Sequence, residues 1–175
     1  MTVDEYVPAE DLTTAWRPLS AVCFRVPRIE DGRDIWKLVV ESGALDENSP
    51  YCYLLLCRDF FETCLVARVG EELAAFVAAY KPPARPDTLF VWQIGVAGPF
   101  RKRGLGSQLL DRLIRLPACQ ACSMLEATVT PSNQASRWMF ERFASRHQAT
   151  CTVQTGFTSA LFGGSAHQEE HLLRI

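Results

Sequence analysis

Val91-Trp92-Gln93-Ile94-Gly95-Val96, followed after Ala97–Phe100 by Arg101-Lys102-Arg103-Gly104-Leu105-Gly106-Ser107, is the stretch that decides the fold. An apolar run reads as a buried strand and feeds a tight turn. Beyond the turn, apolar residues recur at Leu105, Leu109, Leu110, Leu113 and Ile114, the period of a helix that Pro117 stops. Glycines at the turn reach positive φ and let a ligand come close to the backbone. The free N–H groups of the first helical turn then converge on one spot, which the helix dipole makes favourable for a phosphate. Arg101, Lys102 and Arg103 add positive charge beside it. No Gly-Lys-Ser/Thr completes a Walker loop, and the third glycine of a dinucleotide fingerprint is missing. Glycines for sterics and basic residues for solubility would explain a lone G-x-G. They do not explain strand, R-x-x-G-x-G turn and amphipathic helix occurring together.

Upstream of this unit, Thr63–Ala67 and Leu73–Tyr80 flank Gly70-Glu71, a hairpin signal. Lys81–Asp87 holds three prolines and reads as a loop before the strand Thr88–Val96. Further back, Phe24–Val26 is strand-like. Asp31 is placed to cap a helix with Ile35, Leu38 and Val39 on one face, ended by Gly43. Gly43–Pro50 is turn-like and Tyr51–Phe61 helical. Downstream, Met124–Thr130 reads as a strand, and Pro131-Ser132-Asn133 opens a helix through Trp138 and Phe143. Cys151–Val153 and His171–Ile175 are strand-like, with a short apolar piece, Phe157–Phe162, between them. A βα unit after an antiparallel meander predicts an α/β fold: a mixed, mostly antiparallel sheet with helices on both faces. Residues 1–22 lack periodicity and read as a flexible leader to a single domain, 23–175.

The 175 residues include 48% hydrophobic and 22% charged, the mixture of an ordinary globular domain rather than a disordered chain. With 18 basic and 20 acidic residues the formal charge is −2, which argues against a broad nucleic-acid-binding face. No apolar run approaches the ~20 residues of a membrane span, and the acidic N-terminus lacks a signal-peptide core. These features predict a cytoplasmic location. Seven cysteines, an odd number mostly in apolar stretches, read as reduced, buried thiols.

The glycine turn resembles the acyl-CoA-binding motif of the GCN5-related N-acetyltransferases (GNAT). Glu126–Thr130 followed by Asn133–Ser136 resembles that family's second half-motif. The resemblance implies acetyl-CoA as co-substrate. Its pyrophosphate would lie on Arg101, Lys102, Arg103, Gly104, Leu105, Gly106 and Ser107. Its pantetheine arm would pass between a splayed parallel pair of strands, beside Ile94, Val96 and Asn133. The blocks Asp31–Trp36, Leu45–Cys57, Pro86–Gln93 and Leu125–Ser136 are similar to the branch acting on L-2,4-diaminobutyrate in ectoine synthesis, a compatible-solute pathway answering osmotic stress. That similarity covers about residues 23–175 and implies a homodimer and transfer to the side-chain amine. The alternatives are an acetyltransferase for another small amine or a peptide, and an inactive CoA-binding module.

Moving acetyl to an amine sets chemical demands. An alkyl ammonium has a pKa of ~10, so the site must bind the cation and take its proton before attack. The resemblance makes Asp46 a catalytic and substrate-binding carboxylate, where the residues alone suggest a helix cap. Tyr51, Trp92, Thr128, His167 and Glu170 would line the amino-acid pocket; for His167 and Glu170 a solvated tail is the plain alternative. Glu126 would relay a proton through water or serve as a salt-bridge partner. Many family members carry a tyrosine seven positions after the asparagine; here that position is Phe140, which has no proton to donate. No metal is expected. Cys119-Gln120-Ala121-Cys122 lacks the second ligand pair of a zinc site, and His167-Gln168-Glu169-Glu170-His171 matches H-x-x-E-H only by chance.

Overall fold

The computed structural model describes residues 22–163 and 167–175. Seven strands form one sheet: β1 (Val22–Arg25), β2 (Leu65–Val69), β3 (Glu72–Tyr80), β4 (Thr88–Val96), β5 (Met124–Val129), β6 (Thr152–Phe157) and β7 (Glu170–Arg174). Their spatial order is β1-β2-β3-β4-β5-β7-β6. All neighbours are antiparallel except β4 and β5. Four helices complete the described chain: α1 (Asp31–Ser42), α2 (Pro50–Asp59), α3 (Leu105–Leu113) and α4 (Gln134–Arg146). Val22 pairs with Val69, so the domain begins one residue earlier than expected; the rest of the expected leader lies outside the described residues.

The sheet is covered on both faces. On one, Leu105, Leu109, Leu110 and Leu113 of α3 and Phe140 and Phe143 of α4 pack on Val77, Leu89, Val91 and Leu173. On the other, Ile35, Leu38 and Val39 of α1 and Tyr53 and Cys57 of α2 pack on Val66, Phe76 and Ala78. Each fully buried leucine contributes ~1.5–3 kcal/mol of burial. Gly95 permits the second contact: a Cβ there would lie 2.7 Å from the Phe76 ring and 2.9 Å from Leu38.

Asp31 is the first residue of α1 rather than its cap, and makes no local capping bond to that helix. It is 3% exposed and ion-paired to Arg25 at 2.6 Å and Arg68 at 2.7 Å, and it accepts from the Arg28 amide. Burial alone would raise its pKa. The hydrogen bonds from Arg25 and Arg28 more than offset this and hold it below the usual carboxylate range. The strand expected at Thr63 starts at Leu65, because Thr63 closes a short 3-10 turn with its hydroxyl on the Ala79 carbonyl. The strand at Cys151 is longer than expected, and Thr152–Phe157 pairs with β7. The cysteines are all free thiols but not all buried: Cys23 is exposed and Cys52, Cys122 and Cys151 are half-buried. Burial pushes Cys57 up to about 12 and Cys64 and Cys119 up to about 11.

The ladder between β3 and β4 is irregular at one point. Ala78 sits opposite Gln93 and Ala79 opposite Val91, so Trp92 is an extra residue bulging from β4. The parallel pairing of β4 with β5 ends at the same point, at Val91 and Ala127. Thr128 and Val129 continue β5 but pair only with β7. The two central strands therefore part, leaving an opening in the middle of the sheet.

Candidate active site

The turn at the end of β4 leaves open backbone beside three basic residues. A short 3-10 turn, Gly98–Phe100, buries Phe100 and ends at Arg101. Arg101 Nε donates to the Val96 carbonyl at 3.2 Å, tying the turn to the strand. Lys102 and Gly104 have φ of 60° and 76°, reversing the chain into α3. Nothing lies within 4 Å of where a Gly104 Cβ would stand, so the backbone faces open space at the start of the helix. Gly106 lies close to α4, its would-be Cβ 2.9 Å from Met139 Sδ and 4.0 Å from Ile94 and Val96 side chains. The expected anion-binding residues thus sit around one helix start, at the exit of the split strand pair.

The split itself is a narrow slot of about 60 Å³, lined by Val91, Trp92, Ile94, Ala127, Thr128, Asn133 and Phe140 among others. Asn133 caps α4, its side chain accepting from the Ser136 amide at 3.1 Å. Phe140 is 2% exposed, so the position of the missing tyrosine faces the slot with a ring and no donor. The slot shares Trp92, Gln93, Thr128 and Asn133 with a wider cleft of about 310 Å³, which also holds Asp46, His167, Gln168 and Glu170. The cleft end carries carboxylates, while Ile94 of the slot reaches toward Gly106 of the basic turn.

At the acidic end, the acid oxygens of Asp46 and Glu170 and a ring nitrogen of His167 lie within 4.8 Å of one another. His167 Nε2 is 3.3 Å from Asp46 Oδ2, and the ring stacks on Phe162 at 3.9 Å. The Gln168 carbonyl and the Asp46 carboxylate raise the His167 pKa above its ordinary value. Burial raises that of Glu170, the Thr128 hydroxyl lowering it in part. Three separate elements supply these groups: the α1–α2 loop, the loop before β7, and β7 itself.

Two expected residues are elsewhere. Glu126 does not line the cleft. It is 2% exposed and clamped by Arg174 at 2.7 Å and Arg85 at 2.9 Å, a buried anion held by two guanidinium groups. This geometry is that of the salt-bridge alternative. Tyr51 is 64% exposed on the outer face of α2 and does not line the cleft either. Of the chance H-x-x-E-H match, His171 turns away to Glu169 at 2.8 Å. The sequence reading missed Gln93. It is buried in β4, accepts from the Tyr53 hydroxyl at 3.1 Å and donates to the Asp46 carbonyl at 2.8 Å. A lone amide in an otherwise apolar strand was the available signal.

Residues 29–144 match the model of the Acetyltransferase (GNAT) family. An L-2,4-diaminobutyric acid acetyltransferase of Shouchella clausii (strain KSM-K16) is 46% identical over 149 residues, covering 85% of this chain and 83% of the relative. One from Streptomyces anulatus is 46% identical over 152 residues, covering 85% and 86%. The chain belongs to the GNAT acetyltransferases, on the diaminobutyric acid acetyltransferase branch. Among solved structures, the diaminobutyrate acetyltransferase EctA from Paenibacillus lautus, in complex with its substrate L-2,4-diaminobutyric acid and coenzyme A, superposes with a TM-score of 0.85. It is 39% identical, covering 88% of this chain and 93% of that one. Ard1 from Thermoplasma volcanium, at 15% identity and a TM-score of 0.73, shares the GNAT fold. The splayed β4–β5 pair and the glycine turn thus belong to a GNAT acetyltransferase that uses acetyl-CoA. No described helix is long and apolar enough to cross a membrane.

Proposed function

We propose that this chain transfers the acetyl group of acetyl-CoA to the side-chain γ-amine of L-2,4-diaminobutyrate, giving the N4-acetyl product used in ectoine synthesis. The supporting observation is the two-ended opening between β4 and β5. Backbone donors and Arg101–Arg103 lie at one end, and Asp46, His167 and Glu170 at the other, with a slot between them. The identity to named diaminobutyrate acetyltransferases over most of the chain supports the acceptor.

Acetyl-CoA supplies an activated thioester acyl group when bound. The open backbone at Gly104 and the close α3–α4 contact at Gly106 suit its pyrophosphate, which Arg101, Lys102, Arg103, Leu105 and Ser107 would surround. Ile94, Val96 and Asn133 flank the path of the pantetheine arm. At the other end, Asp46 and Glu170 hold the ammonium that is not acetylated, and the Trp92 indole and Thr128 hydroxyl bound the pocket. The γ-amine attacks only as the neutral base. Asp46, 73% exposed at the mouth, is placed to receive its proton and pass it to water. Amide N–H groups of β4 beyond Val91, released from β5, are suited to stabilise charge on the carbonyl oxygen. The thiolate leaves without a tyrosine donor, which a thiol pKa of about 8.5 permits.

Turnover of acetyl-CoA across a panel of amines tests this reading. Diaminobutyrate should exceed putrescine and lysine by a wide margin, and the product should carry acetyl on N4. Equal rates across the panel would remove the assignment. We also infer a cytoplasmic homodimer. An exposed edge strand is commonly covered by a second copy, and β6 presents Val153 and Phe157 to solvent. Light scattering of the purified protein checks the stoichiometry.

A further inference from the structure

The acceptor end of the cleft contains a hydrogen-bond conflict that a protonated imidazole resolves. His167 Nδ1 lies 2.6 Å from the Gln168 carbonyl oxygen. A carbonyl only accepts, so Nδ1 carries a proton. His167 Nε2 lies 3.3 Å from Asp46 Oδ2, and an ionised carboxylate also only accepts. A neutral imidazole has one N–H. With that proton on Nδ1, Nε2 would turn a lone pair toward Asp46, with Glu170 also close. Facing two carboxylates, His167 is therefore favoured as imidazolium in the free protein.

The surroundings favour a positive charge at this place. The α1–α2 loop contributes Asp46, and β7 contributes Glu170. His171, next along β7, is engaged with Glu169. From β5 comes only the Thr128 hydroxyl, which bonds Glu170, and from β4 the Trp92 ring. Phe162 covers one face of the imidazole. Two carboxylates face the group, and among the described residues no lysine or arginine lines the cleft.

We infer that His167 is a specificity-determining residue that holds the place of the substrate's α-ammonium with a proton, which it gives up when diaminobutyrate binds. This rests on the acceptor reading proposed above. In the exchange, the Nε2–H bond breaks and its electron pair stays on nitrogen as the proton passes to solvent. The incoming ammonium then sits between the two carboxylates and donates to the freed Nε2 lone pair. No bond to substrate forms. A substrate carboxylate is the poorer occupant, because it would meet Asp46 and Glu170. An acceptor with the γ-amine but no α-ammonium cannot displace the proton. Gln168 and Asp46 raise the His167 pKa above its ordinary value, which favours the protonated ring before diaminobutyrate binds.

The test compares diaminobutyrate with 4-aminobutyrate, which keeps the γ-amine and carboxylate and lacks only the α-ammonium. Full-length wild type and His167→Gln are assayed between about pH 5.5 and 8. The wild-type preference in kcat/KM should climb by up to roughly tenfold per pH unit and then level off, since one proton is exchanged. The variant, which cannot titrate, should show a flat ratio. In parallel, 15N NMR of the wild-type histidines at pH 7 should show His167 Nε2 pass from protonated to unprotonated as diaminobutyrate is added. An imidazolium that persists in the complex, or an unchanged slope in the variant, overturns the inference while acetylation of diaminobutyrate stands. If diaminobutyrate is not acetylated at any pH, the acceptor reading itself falls, and this inference with it. Should the variant fail to fold or 4-aminobutyrate fail to react, the wild-type NMR titration decides alone.

Discussion

Gln93 Nε2 donates to the Asp46 carbonyl at 2.8 Å, so the strand that splits from β5 also holds the loop that carries Asp46. The same side chain accepts from the Tyr53 hydroxyl, and Tyr53 is fully buried. Strand, loop and α2 are thus joined through one amide.

Replacing that amide should loosen the acceptor side selectively. Gln93→Leu is expected to raise KM for diaminobutyrate by roughly tenfold, the equivalent of ~1.4 kcal/mol, with KM for acetyl-CoA nearly unchanged. The Tyr53 hydroxyl keeps its bond to Asn48, so losing the Gln93 bond should cost only ~0.5–1.5 kcal/mol of stability, read by denaturant unfolding. Adding Tyr53→Phe should not recover KM, because the loop tether is still absent, and it removes the remaining bond to Asn48 as well.

Asp46→Asn should separate the two ends of the cleft. Its kcat/KM for diaminobutyrate is expected to fall by about a hundredfold or more, as the loss of a charge-assisted contact implies. Affinity for CoA, measured by calorimetry, should stay within about threefold of wild type. Equal losses on both sides would make Asp46 a structural residue.

Gly104→Val should act at the opposite end. At φ 76° a β-branched residue is strained, at a cost of ~1–2 kcal/mol. Its side chain would also fill the open space before α3. KM for acetyl-CoA is expected to rise at least about tenfold, with stability only modestly lower. An unchanged KM would show that the backbone here does not approach the co-substrate.

The ion pairs around Asp31 predict an acid limb of stability. Its folded pKa is depressed, so its contribution is complete above the unfolded value of about 3.9 and is lost as pH falls through the folded one. Asp31→Asn should cost ~3–5 kcal/mol at pH 7, with Tm falling roughly 2–4 °C for each kcal/mol. Its stability curve below about pH 4 should be flatter than wild type, because that carboxylate no longer takes up a proton.

The parts legible in the sequence were those with local causes. The apolar run Thr88–Val96, the glycine turn and the helical period after it placed β4 and α3 to within a few residues. What stayed hidden depended on distant partners. Asp31 looks like a helix cap because a cap and a buried ion pair have the same local signature; only the fold brings up Arg68, 37 residues away. Glu126 looked available for proton transfer until Arg85 and Arg174, 41 and 48 residues away, closed on it. The Trp92 bulge is a property of two strands in register, so no single strand announces it. Tyr51 depended on which way α2 is rotated, and the weak amphipathicity of Pro50–Asp59 left that undecided.

The late strand β7 lies between β5 and the earlier β6, joined to both, and it brings Glu170 to the cleft. During synthesis on the ribosome, β4 with α3 emerges well before β7. A nascent chain therefore holds β4, α3 and β5 in hand before β7 can wedge between β5 and β6 and carry Glu170 to the cleft.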